Sequence, residues 1–360
     1  MRVSVRYCPT PAGRVAYATT GTGPPLLCDS GWITHLRRQL DLLSFGDTVQ
    51  HLAEHFTVIR YDKPGCGLSD REDVDLSFDG QVAAALAVAD AVGARQFRLF
   101  GASQAGQLAA TIAARHPERV EALVVYGMCA SGQDLAPPAV RTSVVDLVRA
   151  HWGLGLKALS GAFVSHSTPE EDARFTEFQR ASSSAAVAAD LLEVYYNTDV
   201  RALLPAIRTP TAVLHREGDR GTRFELGREV AALIPGATLI PLPGSSHLYY
   251  HGDWAAVLDA AVGFLGPAPR TEQRPEQRLT DREFEVAALV TDGLTNHAIA
   301  RRLSVGPRTV DSHVENIRRK LGVRSRAQIA AWITEHRVGS SPDARPAHLG
   351  TGGNEPGLDP

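Results

Sequence analysis

Cysteine is scarce: Cys8, Cys28, Cys66 and Cys129 stand far apart in 360 residues, and no two form a C-x-x-C pair. That spacing argues against a disulfide framework and a cysteine-based zinc module, and a reducing cytoplasm is the expected home. No stretch approaches the ~18 consecutive apolar residues of a membrane span, and residues 1–13 lack an apolar signal core. Neither a membrane partner nor secretion is expected. Net charge is nearly absent as well, with 37 Lys and Arg against 40 Asp and Glu. The composition, 44% apolar and 21% charged, excludes a wholly disordered, collagen-like or coiled-coil chain. At ~100–200 residues per domain the length suggests two domains.

Near-neutrality hides an asymmetry. Residues 301–326 carry eight basic side chains (Arg301, Arg302, Arg308, Arg318, Arg319, Lys320, Arg324, Arg326) against Asp311 and Glu315, so the rest of the chain is acidic. A basic patch on an acidic protein points to a polyanionic partner, although a solvated charged helix is the plain alternative. Just upstream, 266–278 is Pro-rich and polar without apolar periodicity, as an interdomain linker is. Residues 338–360 have the composition of a disordered tail.

In 1–265, short apolar runs at 3–8, 15–19, 26–29, 57–61, 97–100, 122–126, 212–215 and 238–242 predict strands. From the third onward, helix-length segments separate them, the signature of an α/β fold with a doubly wound, mostly parallel sheet. The first two strands form an antiparallel edge hairpin. About 130–208 interrupts the alternation with helical pieces, which suggests a cap over the active edge of the sheet.

Within Gly101-Ala102-Ser103-Gln104-Ala105, a strand runs into a helix through a turn so sharp that the residues around Ser103 must be small. Ser103 is then held at a helix N-terminus, where the helix dipole and the Gln104 N–H can stabilise an oxyanion. A hydrolase of this design needs an acid and then a histidine after two further strands, and Asp219 and His247 stand in that order. Glu217 and His251 are the competing acid and base, and the turn could also be a scaffold without catalysis.

Residues 1–265 resemble the α/β-hydrolase fold family at Ser103, Asp219 and His247, and again at 61–70, which resembles its D-x-x-G-x-G-x-S loop. Asp29-Ser30-Gly31-Trp32 resembles its oxyanion turn, with Ser30 where many members carry His. The resemblance implies the Trp32 N–H as a second oxyanion donor beside Gln104, a serine-hydrolase mechanism on ester-type bonds, and no cofactor or metal. The cap side chains Trp152, Leu156, Phe163, Phe175, Phe178, Leu192, Tyr195 and Tyr196 favour a small or medium apolar ligand, unless they serve as cap core.

Residues 279–337 read as short amphipathic helices. Thr295 is placed to cap 296–303, a tight turn follows at 304–306, and Pro307 suits the first position of the next helix. This is a helix-turn-helix. Val310, Val314, Ile317 and Leu321 make a buried stripe on the second helix, and Thr309, Ser312, His313, Asn316 and Lys320 form an adjacent polar face suited to a major groove. Arg308, Arg318, Arg319, Arg324 and Arg326 flank that face and are expected on phosphates. The motifs L-T-x-R-E, G-L-T-N, I-A-x-x-L, T-V-x-x-H and K-L-G-V, in register over about fifty residues, closely resemble the LuxR-type DNA-binding domain. The resemblance puts Thr309, Val310, Asp311 and His313 on or beside the recognition surface, with Asp311 where many members have Lys and Gly306 where many have Ser.

Two functions follow. In one, a transcription regulator binds double-stranded DNA as a homodimer, and its hydrolase-fold domain senses, and in one variant hydrolyses, a small apolar ligand. In the other, a serine hydrolase carries an accessory DNA-binding domain. No receiver or nucleotide-binding motif is present to supply a different input.

Overall fold

The protein is described by a computed structural model at residues 3–29, 31–164, 167–266, 279, 281–321, 326, 328–330 and 333, with side chains at all of these except 162, 281 and 319–321. The chain divides into two compact units, 1–268 and 269–360. Most of the expected linker and all of the expected tail lie outside the described residues.

The first unit is built on an eight-stranded sheet of β1 (Arg6–Thr10), β2 (Gly13–Thr20), β3 (Pro25–Asp29), β4 (Thr57–Tyr61), β5 (Phe97–Ala102), β6 (Val120–Tyr126), β7 (Thr211–Arg216) and β8 (Thr238–Leu242). Its order is β1-β2-β4-β3-β5-β6-β7-β8. The pairs β1–β2 and β2–β4 are antiparallel and the others parallel. The fold class is the α/β arrangement expected from the alternating pattern. β1 starts later than the apolar run suggests. Val3 and Val5 pack on Ala16, Ala18 and Leu36, but ladder pairing begins only at Arg6 opposite Tyr17.

The helices of this unit are α1 (Phe45–Ala53), α2 (Phe78–Ala91), α3 (Gln104–Arg115), α4 (Pro138–Ala150), α5 (Trp152–Phe163), α6 (Pro169–Ser182), α7 (Ala185–Asn197), α8 (Phe224–Leu233) and α9 (Trp254–Leu265). α2, α3 and α8 bury Val88, Leu108 and Val230 on one face of the sheet. α1 and α9 bury Val49 and Leu258 on the other, where the cap helices α4 to α7 add Val148, Phe178 and Leu192. Both faces are thus covered, which is why the central strands read as continuous apolar runs.

The chain runs from β3 outward to β4 and then crosses back to β5 on the opposite side of β3. Such a reversal opens a crevice beyond the strand ends, the place where ligands bind in open α/β sheets. The loop after β3 and the turn after β5 border that crevice, and they carry Trp32 and Ser103.

The second unit contains α10 (Asp281–Thr291), α11 (Asn296–Arg302) and α12 (Pro307–Leu321). Val286, Val290, Ile299, Val310 and Ile317 form its core with Ile329 and Ile333. The Thr295 hydroxyl accepts from the Ala298 N–H and caps α11. Ser304 turns the chain at φ 55°, and Pro307 opens α12.

Candidate functional site

The turn at Ser103 is held by its surroundings. Ser103 has φ 56° and ψ −126°, a conformation that costs an L-residue energy and persists only where packing enforces it. Its N–H donates to Tyr126 O at 2.8 Å, which pins the turn to β6. A Cβ on Gly101 would stand 2.5 Å from Ala105 O and 2.8 Å from Ala109 Cβ, so the strand and helix can meet only if that residue is glycine. Gln104 is the first residue of α3, and its N–H has no carbonyl one turn back to bond.

Ser103, His247 and Asp219 form one hydrogen-bonded chain. Ser103 Oγ lies 2.9 Å from His247 Nε2, and His247 Nδ1 lies 2.9 Å from Asp219 Oδ2. The other carboxylate oxygen of Asp219 accepts from the N–H groups of Gly221 (2.8 Å) and Thr222 (3.0 Å). Burial alone pushes the Asp219 carboxyl up. The His247 charge and hydrogen bond, the Thr222 N–H and His215 outweigh burial and hold it below the usual aspartate range. An ionised Asp219 can therefore accept only from an Nδ1–H, which leaves Nε2 of a neutral imidazole free to accept the serine proton. Glu217 is exposed and outside this chain, and His251 Nδ1 pairs with Ser246 Oγ at 3.1 Å.

Three buried residues that the sequence reading passed over hold these groups in place. Arg216, at the end of β7, is 1% exposed. Its guanidinium donates to the carbonyls of Ser246 (3.1 Å), Leu248 (3.2 Å) and Asp253 (3.1 Å), and so grips the His247 loop on both sides of the imidazole. His215 Nε2 lies 2.8 Å from Thr222 O, an arrangement that requires the proton on Nε2 and ties down the Asp219 loop. Burial pushes the His215 ring below the ordinary histidine range.

Lys63 is the third, fully buried within the 61–70 loop. Its ammonium donates to Gln104 Oε1 at 2.9 Å and pairs with Asp29 Oδ2 at 3.3 Å. It thereby links the segment after the nucleophile to the end of β3, three residues before Trp32. Tyr61 OH also donates to Asp29 Oδ2, at 2.8 Å. In the same loop Asp62 accepts from Leu36 N–H (2.7 Å) and Leu68 N–H (2.8 Å), and the close approach of its carboxylate explains the glycine at 67. The D-x-x-G-x-G-x-S pattern is thus a brace between the loops after β3 and β4.

The cap closes over the serine. A cavity of about 40 Å³ is lined by Ser103, His247, Trp32, Phe175, Phe178 and Gln179, among others. The Phe163 ring lies 5.4 Å from the His247 ring, and Phe163 O accepts from the His247 N–H at 3.1 Å. Trp32 meets Trp152 edge-on at 6.4 Å. Of the cap side chains singled out from sequence, Phe163, Phe175 and Phe178 line the cavity and the hydroxyl of the buried Tyr195 reaches Ser103, whereas Leu156 and Leu192 are buried elsewhere in the cap. Among the described residues no group of three His, Cys, Asp or Glu side chains is placed to hold a metal ion. No helix among them is long and apolar enough to cross a membrane.

In the second unit, α12 presents Arg308, Thr309, Asp311 and Ser312 to solvent, with His313 and Asn316 half-buried. The side chains of Arg319 and Lys320 lie outside the described residues, as does all of Arg324. Two residues expected at the DNA surface, the exposed Asp311 and the half-buried Arg326, share a partner in Asn296. Asn296 Nδ2 donates to Asp311 Oδ1 at 2.7 Å, and Asn296 Oδ1 accepts from Arg326 at 2.6 Å. Arg326 also donates to Leu294 O. The Asn of the G-L-T-N motif and the later Arg thus act together, fastening α11 to α12 and to the segment beyond it.

Comparison with known proteins agrees with both halves. Residues 24–252 match the family described as alpha/beta hydrolase fold, and 277–333 match bacterial regulatory proteins of the luxR family. The nitrate/nitrite response regulator protein NarL of Escherichia coli (strain K12) is 37% identical over 68 residues, 19% of this chain and 32% of that one. The likeness to NarL thus spans about a third of that protein. A pimeloyl-[acyl-carrier protein] methyl ester esterase of Nitrosomonas europaea is 25% identical over 239 residues, 64% of this chain and 90% of the esterase. The crystal structure of an enol-lactonase from Burkholderia xenovorans LB400 superposes with a TM-score of 0.64 at 21% identity, over 72% of this chain and 99% of the lactonase, a likeness of fold. The chain belongs to the α/β hydrolase fold family and carries a C-terminal luxR-family helix-turn-helix domain.

Proposed function

We propose that the protein is a DNA-binding transcription regulator whose hydrolase-fold unit takes up a small, largely apolar acyl compound and cleaves it at Ser103. The observation that carries the chemical part is the unbroken 2.9 Å and 2.9 Å path from Ser103 Oγ through His247 to Asp219. His247 accepts the serine proton as Oγ attacks the acyl carbon, and Asp219 stabilises the imidazolium that forms. The N–H groups of Gln104 and Trp32 stabilise the oxyanion, with Lys63 bracing their segments. The leaving group takes the proton from His247, and water, activated by the same imidazole, releases the acyl group.

The cavity above Ser103 has room for only a few water molecules with the cap in this position, so uptake of a ligand, with or without turnover, requires the cap to shift. Either way the regulator reading rests on the second unit. A purely metabolic hydrolase gains nothing from a DNA-binding module, whereas a regulator needs an input domain.

On DNA, Thr309, Ser312, His313 and Asn316 are proposed to face base edges, and Arg308, Arg319 and Lys320 the phosphates. Arg326 and Asp311 act through Asn296. One such domain reads a short half-site, so two copies of the chain are proposed to bind a two-fold operator. The test is selection of duplexes from a random-sequence library by the full chain, followed by affinity against salt. Recovery of a palindromic site supports the reading, and failure to enrich any sequence opposes it. Lys320→Ala is expected to weaken binding to all duplexes and to lower the slope of log affinity against log salt by about one unit. An unchanged slope removes Lys320 from the phosphate contacts.

A further inference from the structure

The cap buries a carboxamide that the described protein leaves unanswered. Gln179 lies on α6 one turn beyond Phe175 and next to Phe178, on the buried face of the helix, and its side chain is fully buried. Both Oε1 and Nε2 are closed off from solvent without a hydrogen-bond partner. Buried polar atoms without a protein partner are costly, and a leucine or methionine would fill the space without that cost. The residue lines the same cavity as Ser103 and His247.

The rest of the lining narrows the chemistry. No Lys, Arg, Asp or Glu contributes to the cavity wall, which is largely aromatic and aliphatic. An ionic ligand would be desolvated there with no counter-charge. A ketone or ether satisfies only Nε2. A carboxylate satisfies Nε2, repels Oε1 and brings an unpaired charge. A carboxamide answers both atoms at once, its N–H on Oε1 and its C=O on Nε2, the side-by-side pairing by which Gln side chains read adenine.

We propose that Gln179 determines the specificity of this pocket, and that its ligand is a neutral acyl compound with an apolar body and a carboxamide group that pairs with Gln179. This rests on the reading that the Ser103 cavity is the ligand site. It does not depend on turnover, since the pairing is a matter of binding.

The experiment uses the full chain in a Ser103→Ala background, so that nothing is consumed, with calorimetric titration of octanamide and of 2-nonanone. These probes match in length and shape and differ only in an amino group against a methyl. Octanamide is expected to bind about tenfold or more tightly. Adding Gln179→Met, which keeps the volume and removes both polar atoms, is expected to erase that preference. The Met variant should melt no lower than its parent, because an unpaired carboxamide has been removed from the core.

Equal affinities in the Ser103→Ala parent, no binding of either probe, or a preference that survives Gln179→Met would each overturn the proposal. Equal affinities are the result expected if Gln179 merely holds ordered water. Fluorophosphonate labelling of wild type runs alongside. Labelling without an amide preference leaves the hydrolase reading standing and this inference refuted, and an amide preference without labelling does the reverse.

Discussion

Ser103→Ala is expected to abolish labelling by a serine-directed fluorophosphonate and to lower hydrolysis of short-chain esters by at least about a thousandfold. The magnitude follows from the chemistry rather than from stability. The mutation removes the nucleophile, and what survives is the modest acceleration that oxyanion donors and binding supply to water. The fold should be unaffected, because φ 56° at this position is enforced by the Tyr126 and Gly101 contacts and does not involve the hydroxyl. Thermal unfolding of the variant should therefore match wild type to within about 1 kcal/mol or favour the variant. Labelling that persists in Ser103→Ala would place the reactive serine elsewhere and remove this site from the account.

Asp219→Asn is expected to cost about four orders of magnitude in turnover while keeping the site assembled. Its Oδ1 takes two backbone N–H groups, from Gly221 and Thr222, so an asparagine will set its carbonyl there and present its NH₂ to His247 Nδ1. Nδ1 must then be the acceptor, the ring proton moves to Nε2, and Nε2 can no longer take the proton of Ser103. Turnover within tenfold of wild type would show that Asp219 does not set the tautomer.

The same substitution has a pH signature. The folded carboxyl of Asp219 titrates below the usual aspartate range, so its ionised form stabilises the fold fully above that range. That contribution is lost as pH falls through the depressed folded value. Asp219→Asn should flatten this acid-side loss of stability, read as melting temperature against pH.

Much of the architecture was legible in the sequence because it follows local rules. The eight apolar runs became eight strands, and the helix-length segments between them set the parallel topology. The turn at Ser103 announces itself through Gly101 and Ala105, since only small residues allow β5 and α3 to meet so sharply. The start of the first strand was misplaced by three residues. Val3 and Val5 alternate like a strand, but β2 offers pairing partners only from Tyr17 back toward Gly13.

The supporting residues were not legible, and the reason is common to them. Lys63, Arg216, His215 and Gln179 are polar side chains in full burial, and nothing in a single sequence distinguishes them from exposed ones. Lys63 is buried because β3 and β5 are neighbours, which brings Asp29 and Gln104 to it from 34 residues before and 41 after. Arg216 meets three carbonyls supplied by a loop beyond β8. On the second unit, Asp311 is a surface group as its pattern suggests and Arg326 is half-buried, and the partner both share, Asn296, could not be read from the pattern. A charge that reads as a nucleic-acid contact can equally be the fastening that holds a recognition helix in place.

The proposed regulator requires that the occupied pocket of the first unit alter DNA binding by the second. The measurement that tests it most directly is the affinity of the full chain for its selected duplex, at one fixed salt concentration, before and after stoichiometric fluorophosphonate modification of Ser103. The covalent adduct fills the pocket without being turned over, and Ser103→Ala treated identically controls for side reactions. A change in affinity of about fivefold or more, absent in the Ser103→Ala control, is the predicted result. Identical affinities for the free and the fully modified protein would contradict the account, and would leave a hydrolase-fold unit and a DNA-binding unit that share a chain without sharing a signal.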